Sequence, residues 1–297
     1  MKDSTQKNAR QHPHLAGVLY LLERSTMLQS LLSFVLLVFS CLLTMAQTAP
    51  AISKSPISVY DGFEEPTLGS IWMTSLLAPG SYAIQSDIVR AGHSALRITV
   101  RPHDNSMPGT ERDELAEAFP QTTRLSVPYE FSWSMYVSAE FPIVPVRLVV
   151  AQWWEWCHSS DLPCINNSPV LAVRYINGVL LITQDLDHHY NVLYQEKREL
   201  RGHWLDLRFQ VRFTPQSNGF VRAWLDGKQV VDFAGATSNP ENTESGYTHP
   251  IFLPFRMGLY RNAMSQPMTL YFDEYRKRQL SEDELTRPAK TASATSR

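Results

Sequence analysis

Tyr129-Glu130-Phe131-Ser132-Trp133-Ser134-Met135-Tyr136-Val137 alternates without a break. Tyr129, Phe131, Trp133, Met135 and Val137 point one way, and Glu130, Ser132, Ser134 and Tyr136 the other. A period of two is that of a strand with one face on a core. His203 to Phe213 repeats the pattern, with Leu205, Leu207, Phe209, Val211 and Phe213 on the apolar side. Phe220 to Asp226 does so again through Val221, Ala223 and Leu225. Asn177-Gly178 and Asp226-Gly227 are two-residue turn signals that accept positive φ. No comparable helical period runs between residues 58 and 280, so many strands joined by short turns predict an antiparallel sandwich, jelly roll or barrel.

The 297 residues divide by composition. Ser30 to Ala46 carries no charge and follows Arg24, which reads as a secretory signal with cleavage after Ala46. Residues 28–46 also approach spanning length, so a retained membrane anchor is the alternative. Export predicts a secreted or periplasmic protein. The expected organisation is an N-terminal extension and signal or anchor over 1–46, a Pro/Ser/Thr/Ala-rich linker over 47–57, a β domain over 58–280 and a tail over 281–297, with a short helix at Ser281 to Leu285. Cys41 leaves with the signal, and Cys157 with Cys164 then form one loop-closing disulfide pair. The chain carries 27 basic and 29 acidic residues. Beyond residue 46 the counts are 23 and 27, which argues against a nucleic-acid partner. An anionic ligand would have to be met by a few local arginines.

Three segments hold candidate chemistry. In Thr110 to Glu117, strand alternation puts Arg112 with Glu114 on one face and Glu111 with Asp113 on the other. In Val149 to Trp156 it groups Val150, Gln152 and Trp154. In Phe255 to Asn262 it groups Arg256, Gly258 and Tyr260, with the glycine leaving room between two large polar side chains. Singly, each is an ordinary polar or aromatic strand residue.

In this order, Arg112-x-Glu114-Leu115, Gln152-x-Trp154 and Arg256-x-Gly258-x-Tyr260 resemble the strands of the jelly-roll polysaccharide lyases, a group that includes alginate, glucuronan and heparin I-type lyases. Those read Arg-x-Glu-Leu, Gln-x-His and Tyr-Phe-Lys-x-Gly-x-Tyr. Tyr60-Asp61-Gly62-Phe63-Glu64, Trp204-Leu205-Asp206-Leu207, Trp224-Leu225-Asp226-Gly227 and Leu270-Tyr271-Phe272-Asp273-Glu274 extend the likeness from Val59 to Arg278. The resemblance implies an all-β, concanavalin-like jelly-roll sandwich of two antiparallel sheets. It also implies β-elimination on a uronate glycan. Arg112 and Gln152 would neutralise the uronate carboxylate, Glu114 would orient Arg112, and Tyr260 would be the acid and also a candidate base. Arg256 stands where lysine is common.

One position departs. Trp154 occupies the place of the family's histidine. His158, in the loop after Cys157, could take over that role, as could the cluster His188, His189 and Tyr190, with His189 and Tyr190 as substrate contacts; alternatively Tyr260 serves alone. Trp154 is also a candidate sugar-stacking face. No cofactor is required by this chemistry, though Asp61, Glu64 and Asp273 are candidates for a calcium site. The expected partner is an anionic polysaccharide, met by a monomer. Two rival readings stay open: a jelly roll that binds glycan without turnover, and a glycoside hydrolase built on Glu111, Asp113, Glu114 and Glu117, which lacks the Glu-x-Asp-x-x-Glu spacing because residue 116 is alanine.

Overall fold

The computed structural model describes residues 57–155, 168–239 and 252–286. Among them, the strands in chain order are β1 Ser58–Asp61, β2 Trp72–Met73, β3 Tyr82–Gln85, β4 Ala95–Val100, β5 Thr110–Glu117 and β6 Thr123–Arg124. Then come β7 Pro128–Val137, β8 Leu148–Trp153, β9 Leu171–Ile176, β10 Val179–Leu186, β11 His189–Glu196 and β12 Trp204–Arg212. The last are β13 Phe220–Leu225, β14 Lys228–Ala234, β15 Phe252–Leu253, β16 Phe255–Asn262 and β17 Met268–Gln279, followed by one short helix, α1 Glu282–Thr286.

These strands form two large antiparallel sheets. The first runs β14-β13-β12-β7-β17-β4-β3, with β1 also paired to β17; the second runs β11-β10-β9-β8-β16-β5-β2. Chain neighbours repeatedly change sheet, as β4 to β5, β7 to β8 and β16 to β17 do. This is the jelly-roll sandwich that the resemblance implies, one of the architectures that the alternation and the turn dipeptides allow. Both turns have positive φ at each central residue: 52° and 78° at Asn177-Gly178, 47° and 79° at Asp226-Gly227.

The inward residues of the quoted strand meet those of the opposite sheet. Phe131 and Trp133 on β7 pack against Trp153 on β8 and Phe255 on β16, with ring centroids 5.0–6.2 Å apart across the cluster. Each such buried aromatic contributes on the order of 1.5–3 kcal/mol by leaving water. β12 is the plainest case, its apolar residues buried and its alternate residues half-buried from end to end.

Two strands slip in register. The register of β8 slips between Val149 and Ala151 against β9, and that of β16 slips between Met257 and Tyr260 against β8. Val150 consequently packs in the core rather than sharing a face with Gln152 and Trp154, as unbroken alternation predicts. A bulge inserts a residue and reverses the facing of those before it.

Candidate active site

β5, β16, β8 and β9 are neighbours in the second sheet, and their register assembles the predicted residues. Tyr260 lies opposite Arg112, Gly258 opposite Glu114, and Arg256 opposite Gln152. Gly258 makes this approach possible. Its φ is 142°, and a Cβ there would lie 2.3 Å from the Asp113 carbonyl oxygen and 2.8 Å from the Glu114 Cα. No other residue tolerates that φ and that crowding together.

The result is a cleft of about 690 Å³ whose lining includes Arg112, Arg147, Gln152, Trp154, Arg174, Arg256 and Tyr260. Among the described residues its lining holds four arginines and no Asp or Glu. Glu114 sits beneath, fully buried. It accepts a hydrogen bond from Gln152 Nε2 at 2.5 Å through Oε1, and its Oε2 lies 3.3 Å from Arg112 Nε. One buried carboxylate thus fixes both the amide and the guanidinium. Among the described residues Glu114 is the one hydrogen-bond partner of Gln152 Nε2, and an amide nitrogen has a second hydrogen to donate.

Tyr260 lies between two cations. The Arg112 and Arg147 guanidinium carbons are 4.1 Å and 4.4 Å from its ring centroid. Burial pushes its hydroxyl upward. The hydrogen bond and charge of Arg147, the charge of Arg112 and a hydrogen bond with Thr110 outweigh that, so its pKa falls below the ordinary tyrosine value. Arg147 is itself steadied by Asn262 Oδ1, which accepts from its Nε at 3.0 Å. Arg256 is buried under the Trp154 ring, 4.9 Å from its centroid. Burial lowers its pKa, offset in part by the charge of Glu114, and it stays cationic as arginine does.

The other candidates are more dispersed. Tyr190 stands beside Arg174, whose guanidinium carbon is 5.7 Å from the tyrosine ring centroid. His189 is exposed at the β10–β11 hairpin, its Nδ1 2.7 Å from the Asp187 carbonyl oxygen, and is not among the residues lining the cleft. His158, Cys157 and Cys164 lie outside the described residues, as do residues 1–56. Among the described residues no helix is long and apolar enough to cross a membrane. Asp61 accepts from Phe63 N and Trp72 Nε1, Glu64 from His93 N, and Asp273 from the amides of Arg90, Ala91 and Glu274. No group of three or more His, Cys, Asp or Glu among the described residues is placed to hold a metal.

Glu111, Asp113 and Glu117 turn away from the cleft and are buried. Glu111 pairs with Arg261 at 2.7 Å, Asp113 accepts from Ala78 N at 2.6 Å, and Glu117 pairs with Lys277 at 2.9 Å. A hydrolase needs two carboxylates flanking the scissile bond. The strand offers none to the cleft beyond the occupied Glu114.

Arg147 and Arg174 escape a reading of sequence motifs. Arg174 carries a signal: it is the lone charge in the apolar strand Leu171-Ala172-Val173-Arg174-Tyr175-Ile176, and charged residues are rarely buried without a reason. Arg147 lies between two strands, in a stretch with no pattern to mark it.

Two sheets packed face to face, with a cleft on one outer face whose described lining is cationic and holds no Asp or Glu, define a jelly-roll protein suited to an anionic ligand. The chain belongs to the polysaccharide lyase family: the model described as Polysaccharide lyase matches residues 56–276, and membership makes this chain a lyase. Among solved structures it is similar to the endo-β-1,4-glucuronan lyase of the fungus Trichoderma reesei, with a TM-score of 0.60 at 16% identity over 75% of this chain and 95% of that one. It is also similar to a cellulose induced protein, Cip1, with a TM-score of 0.51 at 12% identity over 74% and 96%. At these identities the likeness is one of fold. Comparison with curated proteins gives no match.

Proposed function

We propose that this lyase cleaves a uronate-containing glycan by β-elimination, with Tyr260 as both base and acid. What supports the reading is the setting of Tyr260, held between Arg112 and Arg147 next to the Glu114-anchored Gln152. The uronate carboxylate binds Arg112 and Gln152. Removing the C5 proton pushes negative charge onto that carboxylate, so donors placed there act mainly on the transition state. Tyr260, as phenolate, takes the C5 proton. The C5–H electron pair becomes the C4=C5 double bond, the C4–O4 pair leaves on O4, and Tyr260 returns the same proton to O4. The tyrosine ends as it began, and the step consumes no water. Two arginines that favour the phenolate supply what a histidine base would otherwise provide. Trp154, in the histidine's place, covers Arg256 and offers an aromatic face to a sugar ring. A polymeric substrate met outside the cell agrees with the export signal expected before residue 47.

The test is to incubate the purified chain with polyuronates, alginate, glucuronan and heparin-type glycans among them, and follow the absorbance of the unsaturated product. We expect it to rise with at least one glycan and to disappear in Tyr260→Phe, with binding retained. Binding by the wild-type chain without any absorbance change would make it a glycan-binding protein. New reducing ends without unsaturation would make it a hydrolase.

A further inference from the structure

Of the four arginines that line the cleft among the described residues, Arg174 takes no part in the elimination step. One register line crosses the second sheet from Arg112 on β5 to Tyr260 on β16, Val149 on β8 and Arg174 on β9. Two strand spacings, about 10 Å, therefore separate the backbones at Tyr260 and Arg174. Arg174 lines the same cleft, yet is only 6% exposed. Its Nε donates to Thr183 Oγ1 at 3.0 Å, a neutral partner. Among the described residues no carboxylate forms an ion pair with it, whereas the buried cations Arg261 and Lys277 each have one. A buried charge is stable in proportion to the counter-charge it meets. At Arg174 the charge of Asp185 acts without closing an ion pair, so the counter-charge is partial, and the side chain lines the cleft. Tyr190, 49% exposed, adds a ring beside the same guanidinium.

We propose that Arg174, with Tyr190 at its rim, forms a second oxyanion subsite that takes an acidic group, carboxylate or sulfate ester, of another sugar on the same glycan. The substrate is then a polyanion whose chain crosses the strands from β5 toward β9, and affinity grows when it is long enough to reach Arg174. The reaction assigned to Tyr260 rests on the proposed function; the binding claimed for Arg174 can be read without turnover.

The experiment is calorimetric titration in a Tyr260→Phe background with size-fractionated oligouronates and, in parallel, sulfated uronate oligosaccharides. Arg174→Gln is expected to weaken the longer oligomers by about 10- to 100-fold, the range for a charged hydrogen-bonded contact, and to leave the shortest unchanged. Arg174→Lys should restore part of the loss. Tyr190→Ala changes an exposed side chain and should also weaken long oligomers, which covers the case in which Arg174→Gln fails to fold. The series that loses more names the acidic group. Equal weakening at every length, no weakening, or no binding of any oligomer would each overturn the subsite. Absence of an unsaturated product from the wild-type chain, with the length-dependent effect intact, would sink the elimination and keep the subsite. Elimination by the wild-type chain, with Arg174→Gln indistinguishable in binding, would do the reverse.

Discussion

Tyr260 has two guanidinium groups against it, and they do not contribute equally. Arg112 is committed to Glu114 and to the expected carboxylate. Among the described residues Arg147 is held by the neutral Asn262, and its hydrogen bond and charge lower the tyrosine pKa. If the phenolate is the base, kcat/KM rises with pH as Tyr260 deprotonates. Removing Arg147 takes away its hydrogen bond and its charge, which raises the tyrosine pKa and carries the rising limb to higher pH. We expect Arg147→Ala to move that limb alkaline, and Arg147→Lys to move it less. A pH profile of kcat/KM checks this; a limb that stays in place would show that Tyr260 ionisation does not govern the rate. Arg112, Glu114, Gln152, Arg256 and Tyr260 are legible in sequence because each has a fixed place in a strand motif. Arg147 is not, because only the folding of β8 against β16 brings it to the ring.

Among the elements, β5 and β16 set the geometry. Alternation alone predicts that Arg256, Gly258 and Tyr260 share a face, and it finds the strands. It does not predict the slips in β8 and β16, because a bulge is one extra residue whose only local signature is a weak preference. Gly258 shows the difference between the two kinds of reading. In the sequence it is space between two side chains. In the sheet it is a positive φ and a backbone contact with Asp113 and Glu114 that a methyl group would break. Gly258→Ala should therefore force β16 away from β5, cost more than about 1 kcal/mol of stability and separate Tyr260 from Arg112. Urea unfolding read alongside elimination rate checks both effects. An alanine variant with wild-type stability and rate would mean that the close approach carries no weight.

For the whole molecule, the two sheets are joined by more than apolar packing. Glu117, on β5 of the second sheet, reaches across the core to Lys277 on β17 of the first, with both carboxylate oxygens 2.9 Å from the ammonium. The same carboxylate accepts from Tyr275 Oη at 2.6 Å and from Phe255 N at 3.2 Å, while Lys277 also donates to the Gln121 carbonyl and lies 5.0 Å from the Tyr129 ring centroid. Nothing in the sequence pairs two residues so far apart, and Glu117 reads there as one more acid in Thr110 to Glu117. Burial lowers the Lys277 pKa, and the Glu117 charge works against that. Lys277→Met leaves the carboxylate buried without its counter-ion, which costs about 3–5 kcal/mol. Adding Glu117→Gln removes the stranded charge while an amide oxygen still accepts from Tyr275 or Phe255, so the double variant should regain much of that loss. Equilibrium unfolding in urea of the two variants and the wild-type chain separates the cases. Equal loss in the single and double variants would mean that the ammonium matters for its packing against Tyr129 rather than for its charge. The predicted recovery would mark the pair as a clamp between the sheets whose worth lies in charge balance.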